Sequence, residues 1–392
     1  MGELINWMGG WPREGLMAQT EWEERVAEAS ERDREPDAGK TERHIRAATT
    51  QSRLGEHMAA AGWLRDGAAD SGGFAVTAGA DAAIERVARG WLRPGDAVLT
   101  ENPTGRSALR LIRKAGANPY PVRSDEAGML PDDLSEALAR LRPRLVYAAP
   151  AGTDPQGRTW SSERREALLA SCREAGVAVL LDERQGMLNF DATKGTEAVS
   201  RERNDAGGTV FTVGELPPGT IAGTRLGWLA ASGDAKSTRA VLAGAHADAA
   251  EGTEAPSPAL TPSEAEQRAL LALMEERGAE PLVEMMRFVC QARIGLLCEL
   301  LGNSRLPGLN WREPEAGMHL WLSLPEGLDG DALLRAAWRE GLLFQPGGDF
   351  YATEPNRFRI RMTVVHSEER EIRMGVHRLG EAMAGFLGRS AR

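Results

Sequence analysis

Residues 210–228 read Val-Phe-Thr-Val-Gly-Glu-Leu-Pro-Pro-Gly-Thr-Ile-Ala-Gly-Thr-Arg-Leu-Gly-Trp. Val210, Phe211 and Val213 predict a strand, and the Pro217-Pro218-Gly219 step that follows predicts a loop. Arg225 then opens a second apolar run, Leu226 to Ala231. A guanidinium set in such apolar sequence needs an anionic partner, because an unpaired buried charge is very costly.

Working outward, Phe74–Thr77 predicts a short strand that turns into a helix through Ala78-Gly79-Ala80-Asp81-Ala82. Such a junction presents open N–H groups and the positive end of a helix dipole to an anion. Arg144–Pro150 and Val177–Leu181 are β-biased runs, and a helix is expected over 161–176 between them. Strand–helix alternation through 74–182 predicts an α/β sandwich with a mostly parallel sheet. A helix from 44 to 67 places Leu54, Met58 and Trp63 on one face. Residues 232–262 read as a short helix and then a loop through Glu251-Gly-Thr-Glu-Ala-Pro-Ser-Pro258. Two long helical patterns, 263–274 and 279–301, precede strand and helix patterns at 316–322, 331–340, 341–344 and 357–362.

The chain's 392 residues suffice for two subdomains and a large core. A net charge of −10 argues against nucleic acid or an anionic membrane as partner. No apolar run is long enough to span a bilayer, and the first residues do not read as a signal peptide, so a cytoplasmic protein is expected. Cys172, Cys290 and Cys298 are widely spaced and odd in number, which predicts reduced core thiols, with no disulfide framework and no metal site.

The 210–228 stretch resembles the cofactor-lysine segment of the fold-type I pyridoxal-phosphate (PLP) aminotransferases, class I/II: strand, G-S-x-S-K, a short loop, then R-x-G-W/Y. The likeness runs through nearly the whole chain in family order: Thr77-Ala-Gly79, Pro94-Gly-Asp96, Glu101-Asn-Pro-Thr-Gly105, the 150–157 loop and Asp182-Glu183. It implies a large domain with a mostly parallel central sheet plus a smaller α+β domain. The expected division is an N-terminal arm over 1–45, the large domain over 46–280, and a connecting helix with the small domain over 281–392. It also implies that Gly79 and Arg225 face the cofactor phosphate, that Asp182 faces the pyridine nitrogen, and that Arg361 binds a substrate carboxylate. Arg359 lies on the same face of its strand as an alternative. Trp7 and Trp11 fall in the arm that folds over the site mouth, either as rings against substrate or as anchors of the arm.

Against the family pattern, the position seven residues before Arg225 is Pro218 where the family has the Schiff-base lysine, and no lysine stands between Lys194 and Lys236. Gly105 replaces the aromatic that stacks on the pyridine, Asp154 replaces the Asn, Gln185 replaces the Tyr, and Asp81 replaces a neutral polar residue at the phosphate turn. The resemblance places the lysine as both anchor and proton-transfer base, and proline can do neither. The retained Gly79, Asp182, Arg225 and Arg361 read either as an anion-binding site or as fold elements, with Asp182 in a buried salt bridge to an arginine. From this reading follows the expectation of a repurposed, PLP-independent enzyme with a vacated cofactor cavity. It would act on an amino acid, with an amine–carbonyl (imine, Pictet–Spengler-type) condensation as the candidate reaction. Glu215, Asp182 and Asp154 would be its acid/base groups, and Arg361, Arg225, Trp7, Trp11, Gln185 and Gly105 would line the substrate space. The expected assembly is a homodimer. The alternatives are an inactive subunit in a heterodimer with a catalytic partner, and a protein that binds PLP only non-covalently.

Overall fold

The computed structural model describes residues 4–13, 15–31, 40–64, 73–191, 208–245, 260–304 and 306–390. The strands are β1 (Ile5–Trp7), β2 (Phe74–Thr77), β3 (Ala97–Thr100), β4 (Asn118–Pro121), β5 (Ser124–Asp125), β6 (Gly128–Met129) and β7 (Leu145–Ala148). They continue with β8 (Ala178–Asp182), β9 (Val210–Glu215), β10 (Gly227–Ser232), β11 (Asn310–Trp311), β12 (Leu320–Ser323), β13 (Leu342–Pro346) and β14 (Arg359–Met362). The helices are α1 (Gln19–Glu31), α2 (Lys40–Ala60), α3 (Ala80–Trp91), α4 (Arg106–Lys114), α5 (Pro131–Leu141) and α6 (Ser162–Glu174). After them come α7 (Ala235–Leu242), α8 (Glu264–Arg277), α9 (Pro281–Ser304), α10 (Gly330–Arg339) and α11 (Glu369–Ser390).

A seven-stranded sheet runs in the order β2-β10-β9-β8-β7-β3-β4. Every neighbouring pair is parallel except those made by β10, which lies antiparallel to both β2 and β9. β7 and β8 are buried along their whole length, which is why they read as unbroken apolar runs. The fold is therefore the expected one, an α/β sandwich around a mostly parallel sheet. Its consequence for function is geometric. The parallel strands all end on one edge of the sheet, where ligands of open α/β sheets bind. Asp182 closes β8, Glu215 closes β9, the 149–157 loop follows β7, and the segment 101–105 follows β3.

Close packing at the β2–β10–β9 corner depends on glycine. A Cβ on Gly227 would stand 2.6 Å from the Gly79 carbonyl carbon, and one on Gly214 would stand 2.4 Å from the Trp228 ring. Trp228 in turn stacks on Trp63 with centroids 5.8 Å apart and planes 7° from parallel. Leu54, Met58 and Trp63 are buried here as their spacing predicts, although α2 ends at Ala60. The loop expected at 251–258 lies outside the described residues, as does Lys194.

The second sheet has the order β1-β13-β14-β12-β11. It packs with α9 and α11 on a core that includes Trp7, Cys290, Leu297, Leu320, Ile360 and Leu379. β1 reaches this sheet from the far end of the chain and pairs parallel to β13. The three cysteines are free and buried, and burial pushes each thiol up to about 12. Among the described residues no helix is long and apolar enough to cross a membrane.

Candidate functional site

Three ion-paired clusters meet where the large sheet's strand ends face the smaller sheet. The first joins the end of β9 to the start of α3. Arg225 donates Nε to Glu215 Oε1 and Nη2 to Oε2, each at 2.7 Å, while the Ala80 N–H donates to Oε2 at 2.9 Å. Glu215 is 1% exposed. Its carboxylate thus sits on the helix N-terminus and in the guanidinium fork at once, with both oxygens engaged, an arrangement that stabilises a buried negative charge. Gly79, with φ +85°, precedes this helix, and a Cβ there would crowd Arg225 Nε at 3.2 Å and Glu215 Oε1 at 3.4 Å.

The second cluster surrounds Asp182. Tyr147 donates its hydroxyl to Oδ2 at 2.7 Å, and Arg184 Nε reaches both Asp182 oxygens at 2.9 and 3.0 Å. Arg184 Nη1 extends to Asp81 Oδ1 at 2.6 Å, so one guanidinium bridges β8 to the first turn of α3. Burial opposes the Arg184 charge, but Asp182 and Asp81 hold it well above the ordinary arginine value. Burial works against the Asp81 charge too, and Arg184 outweighs it, leaving that carboxyl below its usual range. Burial, followed by the Asp182 charge, pushes the Tyr147 hydroxyl well up, so it stays a donor.

The third cluster crosses between the two sheets. Arg361 on β14 donates Nη1 to Asp154 Oδ1 at 2.7 Å and lies over the Phe350 ring, 4.7 Å from its centroid. Arg361 is 8% exposed, and its buried Nε has no partner. Burial opposes ionisation of Asp154, yet Arg361 and the neighbouring His319 hold its pKa below the usual range. His319 donates to or accepts from Thr363 at 2.9 Å; burial first, and then Arg361, push its imidazole down to about 3, so it is neutral. A Cβ on Gly105 would stand 3.2 Å from Asp154 Oδ2, so a ring at position 105 would crowd that carboxylate. Gly105 and Asp154 are therefore in contact, as are Asp81 and Arg184.

These contacts redistribute the expected roles. Arg361 is the β14 arginine that faces the cluster, whereas Arg359 packs towards Gly347 and Tyr351. Glu215 was expected as the main acid/base group, but a carboxylate held by a bidentate guanidinium and a backbone N–H is not placed to exchange protons with a ligand. The expectation of a vacated cofactor cavity is corrected likewise: Glu215 and Arg184 engage the groups that the resemblance assigns to the phosphate and the ring nitrogen, and Asp154 pairs with Arg361. Trp7 has no exposed surface; its ring rests against Gly375 and its Nε1 donates to Ser367 at 3.1 Å, so it anchors the arm and touches no substrate. Trp11 is 48% exposed and lies on Gly219, beside Pro218, where the arm hydrogen-bonds to Thr220. Gln185 is buried between Gly152 and Gly317 with Oε1 unpartnered. Sequence reading foresaw an arginine for Asp182 but did not name Arg184, and it missed Tyr147 and His319. Arg184 was findable from its charge, two residues from Asp182 at the end of an apolar strand.

A large parallel-sheet domain with a smaller sheet packed over its strand ends defines a fold-type I aminotransferase fold. The model of the family described as aminotransferase class I and II matches residues 69–379, and the chain belongs to that family. It is 27% identical over 312 residues to the 2-aminoadipate transaminase of Thermus thermophilus, covering 80% of this chain and 75% of that protein. It is 25% identical over 347 residues to aromatic-amino-acid aminotransferase 1 of Thermococcus litoralis, covering 86% and 80%. The solved α-aminoadipate aminotransferase of Thermus thermophilus, complexed with N-(5'-phosphopyridoxyl)-L-leucine, superposes with a TM-score of 0.76 at 26% identity, covering 98% of this chain and 93% of that one.

These likenesses overturn the expectation of a PLP-independent condensing enzyme that takes no cofactor. The relatives are named for amino-group transfer, and the solved neighbour holds a phosphopyridoxyl amino acid. The family therefore implies a PLP-type cofactor. The side chains as arranged do not fit it. The N–H and guanidinium that the resemblance assigns to its phosphate are taken by Glu215, and the carboxylate assigned to its ring nitrogen is taken by Tyr147 and Arg184.

Proposed function

We propose that this chain binds an α-amino acid between the two sheets, with Arg361 taking the carboxylate and Asp154 the ammonium group. The observation that supports this is the Arg361–Asp154 pair itself. Asp154 is hydrogen-bonded to Nη1, and the buried Nε has no partner, so the guanidinium keeps donor capacity of the kind that suits a carboxylate. Asp154 Oδ2, 3.2 Å from where a Cβ on Gly105 would stand, offers an acceptor beside that guanidinium. A zwitterion matches a cation and an anion held side by side, and the neutral His319 adds no competing charge. The low exposure of Arg361 strengthens each of these attractions by excluding water.

The names of the relatives make 2-aminoadipate and aromatic amino acids the first ligands to try, and amino-group transfer the first reaction to assay. The assembly that goes with this reading is a homodimer, which sedimentation would test. Calorimetric titration with L-2-aminoadipate and L-phenylalanine tests binding, and Arg361→Gln should weaken it by about 100-fold, as loss of a charge-assisted bidentate contact does. The corresponding 2-oxo acids should bind more weakly than the amino acids, because Asp154 repels what lacks an ammonium. Millimolar amino acid that produces no saturable heat, or equal binding by Arg361→Gln, would rule the reading out.

A further inference from the structure

The disagreement between the family's cofactor and the first cluster carries an inference of its own, independent of amino-acid binding at Arg361. We infer that Glu215 is a built-in occupant of an otherwise intact phosphate cradle, and that phosphorylated ligands bind there only by displacing its carboxylate. The donors belong to two separated elements. The Ala80 N–H opens the twelve-residue helix α3, and Arg225 precedes β10. Both converge on one pair of oxygens, at 2.7 to 2.9 Å. Gly79 leaves the space beside those oxygens clear, at a φ of +85° that other residues rarely adopt. A helix N-terminus joined to a guanidinium fork suits a phosphate monoester as it suits a carboxylate. The solved relative whose fold this chain shares carries a phosphopyridoxyl group. Two anions cannot share one such set of donors, and the carboxylate comes from the chain itself, at no cost in translational freedom.

Arg184 applies the same logic one cluster away, since its guanidinium covers the Asp182 carboxylate that the resemblance assigns to the ring nitrogen. The phosphate cradle is nevertheless testable alone. Glu215→Ala and Glu215→Gln, together with the wild type, are titrated calorimetrically with inorganic phosphate, pyridoxal phosphate and pyridoxal. Phosphate and pyridoxal phosphate should bind Glu215→Ala on the order of 100-fold more tightly than the wild type, with Glu215→Gln between them. Pyridoxal, which lacks the phosphate, should gain nothing. Adding Arg225→Gln to Glu215→Ala should abolish the gain. If a variant is unfolded in phosphate-free buffer, recovery of its folded circular-dichroism spectrum on adding phosphate supports the inference, and failure to recover counts against it. Folded variants that bind phosphate no better than the wild type overturn it, as does tighter binding that survives the loss of Arg225.

Discussion

Glu215–Arg225 and Asp154–Arg361 are both carboxylate–guanidinium pairs at the mouth of the same sheet, yet they differ in what they leave over. The first is local, ten residues apart in sequence, and uses both carboxylate oxygens, two guanidinium nitrogens and a backbone N–H. The second joins residues 207 apart and two sheets, through a single hydrogen bond, and leaves a buried Nε without a partner. The saturated pair offers a ligand nothing unless its carboxylate moves aside, whereas the unsaturated one keeps an unused donor. Glu101 supplies the contrast to both. It accepts from the Ala149 N–H and Trp160 Nε1 but has no guanidinium among its partners in the described residues, and burial pushes its pKa up to about 7.

The largest expected effect comes from breaking the saturated pair. Arg225→Met leaves the Glu215 carboxylate buried beside one N–H, and urea denaturation should show a loss of about 3–5 kcal/mol. A loss below about 1 kcal/mol would mean that this pair is no more structural than its counterpart. Next is the carboxylate without a cation. Glu101 keeps its proton in the folded chain up to about pH 7 and loses it near pH 4.5 when unfolded. The unfolded state therefore binds fewer protons between those values, so stability falls as pH rises through that window and then levels off. About 3 kcal/mol of such dependence is expected, and Glu101→Gln should flatten that part of the profile.

Filling the space at position 105 probes the open pair. Gly105→Phe should cost about 1–3 kcal/mol by overpacking against Asp154, and less in combination with Asp154→Ser. Additive losses in that double-mutant cycle would refute the coupling between the two positions. The smallest effect is expected for Asp154→Asn, about 1 kcal/mol at neutral pH. Because Arg361 holds the Asp154 pKa below its unfolded value, this contribution is present above that unfolded value and is lost as pH falls through the folded one. Comparing wild type and Asp154→Asn between about pH 6 and about pH 2 should show the two stability curves converging at the acid end.

The fold was legible because its signals are local and repeated. Alternating strand and helix patterns over 74–182 predict a parallel sheet, and the Gly79 turn and the apolar runs ending at Asp182 and Glu215 mark its functional edge. The departures from the family pattern were legible too, but only as losses: a lysine position held by Pro218, a ring position by Gly105, an Asn by Asp154. Read singly they suggested an emptied cavity and groups available for proton transfer, and that was the error. Two of the replacements meet partners across space, Gly105 the Asp154 carboxylate and Asp81 the Arg184 guanidinium, and Glu215 is held by Arg225 and the Ala80 N–H.

By itself the sequence determined the α/β architecture, the strand-end location of the site and several of its charged residues, Asp182, Arg225 and Arg361 among them, because hydrophobic periodicity and turn chemistry act over a few neighbouring residues. Which charge meets which was decided only by the tertiary structure. Coulombic pairing and desolvation depend on distances between residues as far apart as Asp154 and Arg361, and the packing of one sheet over the other sets those distances.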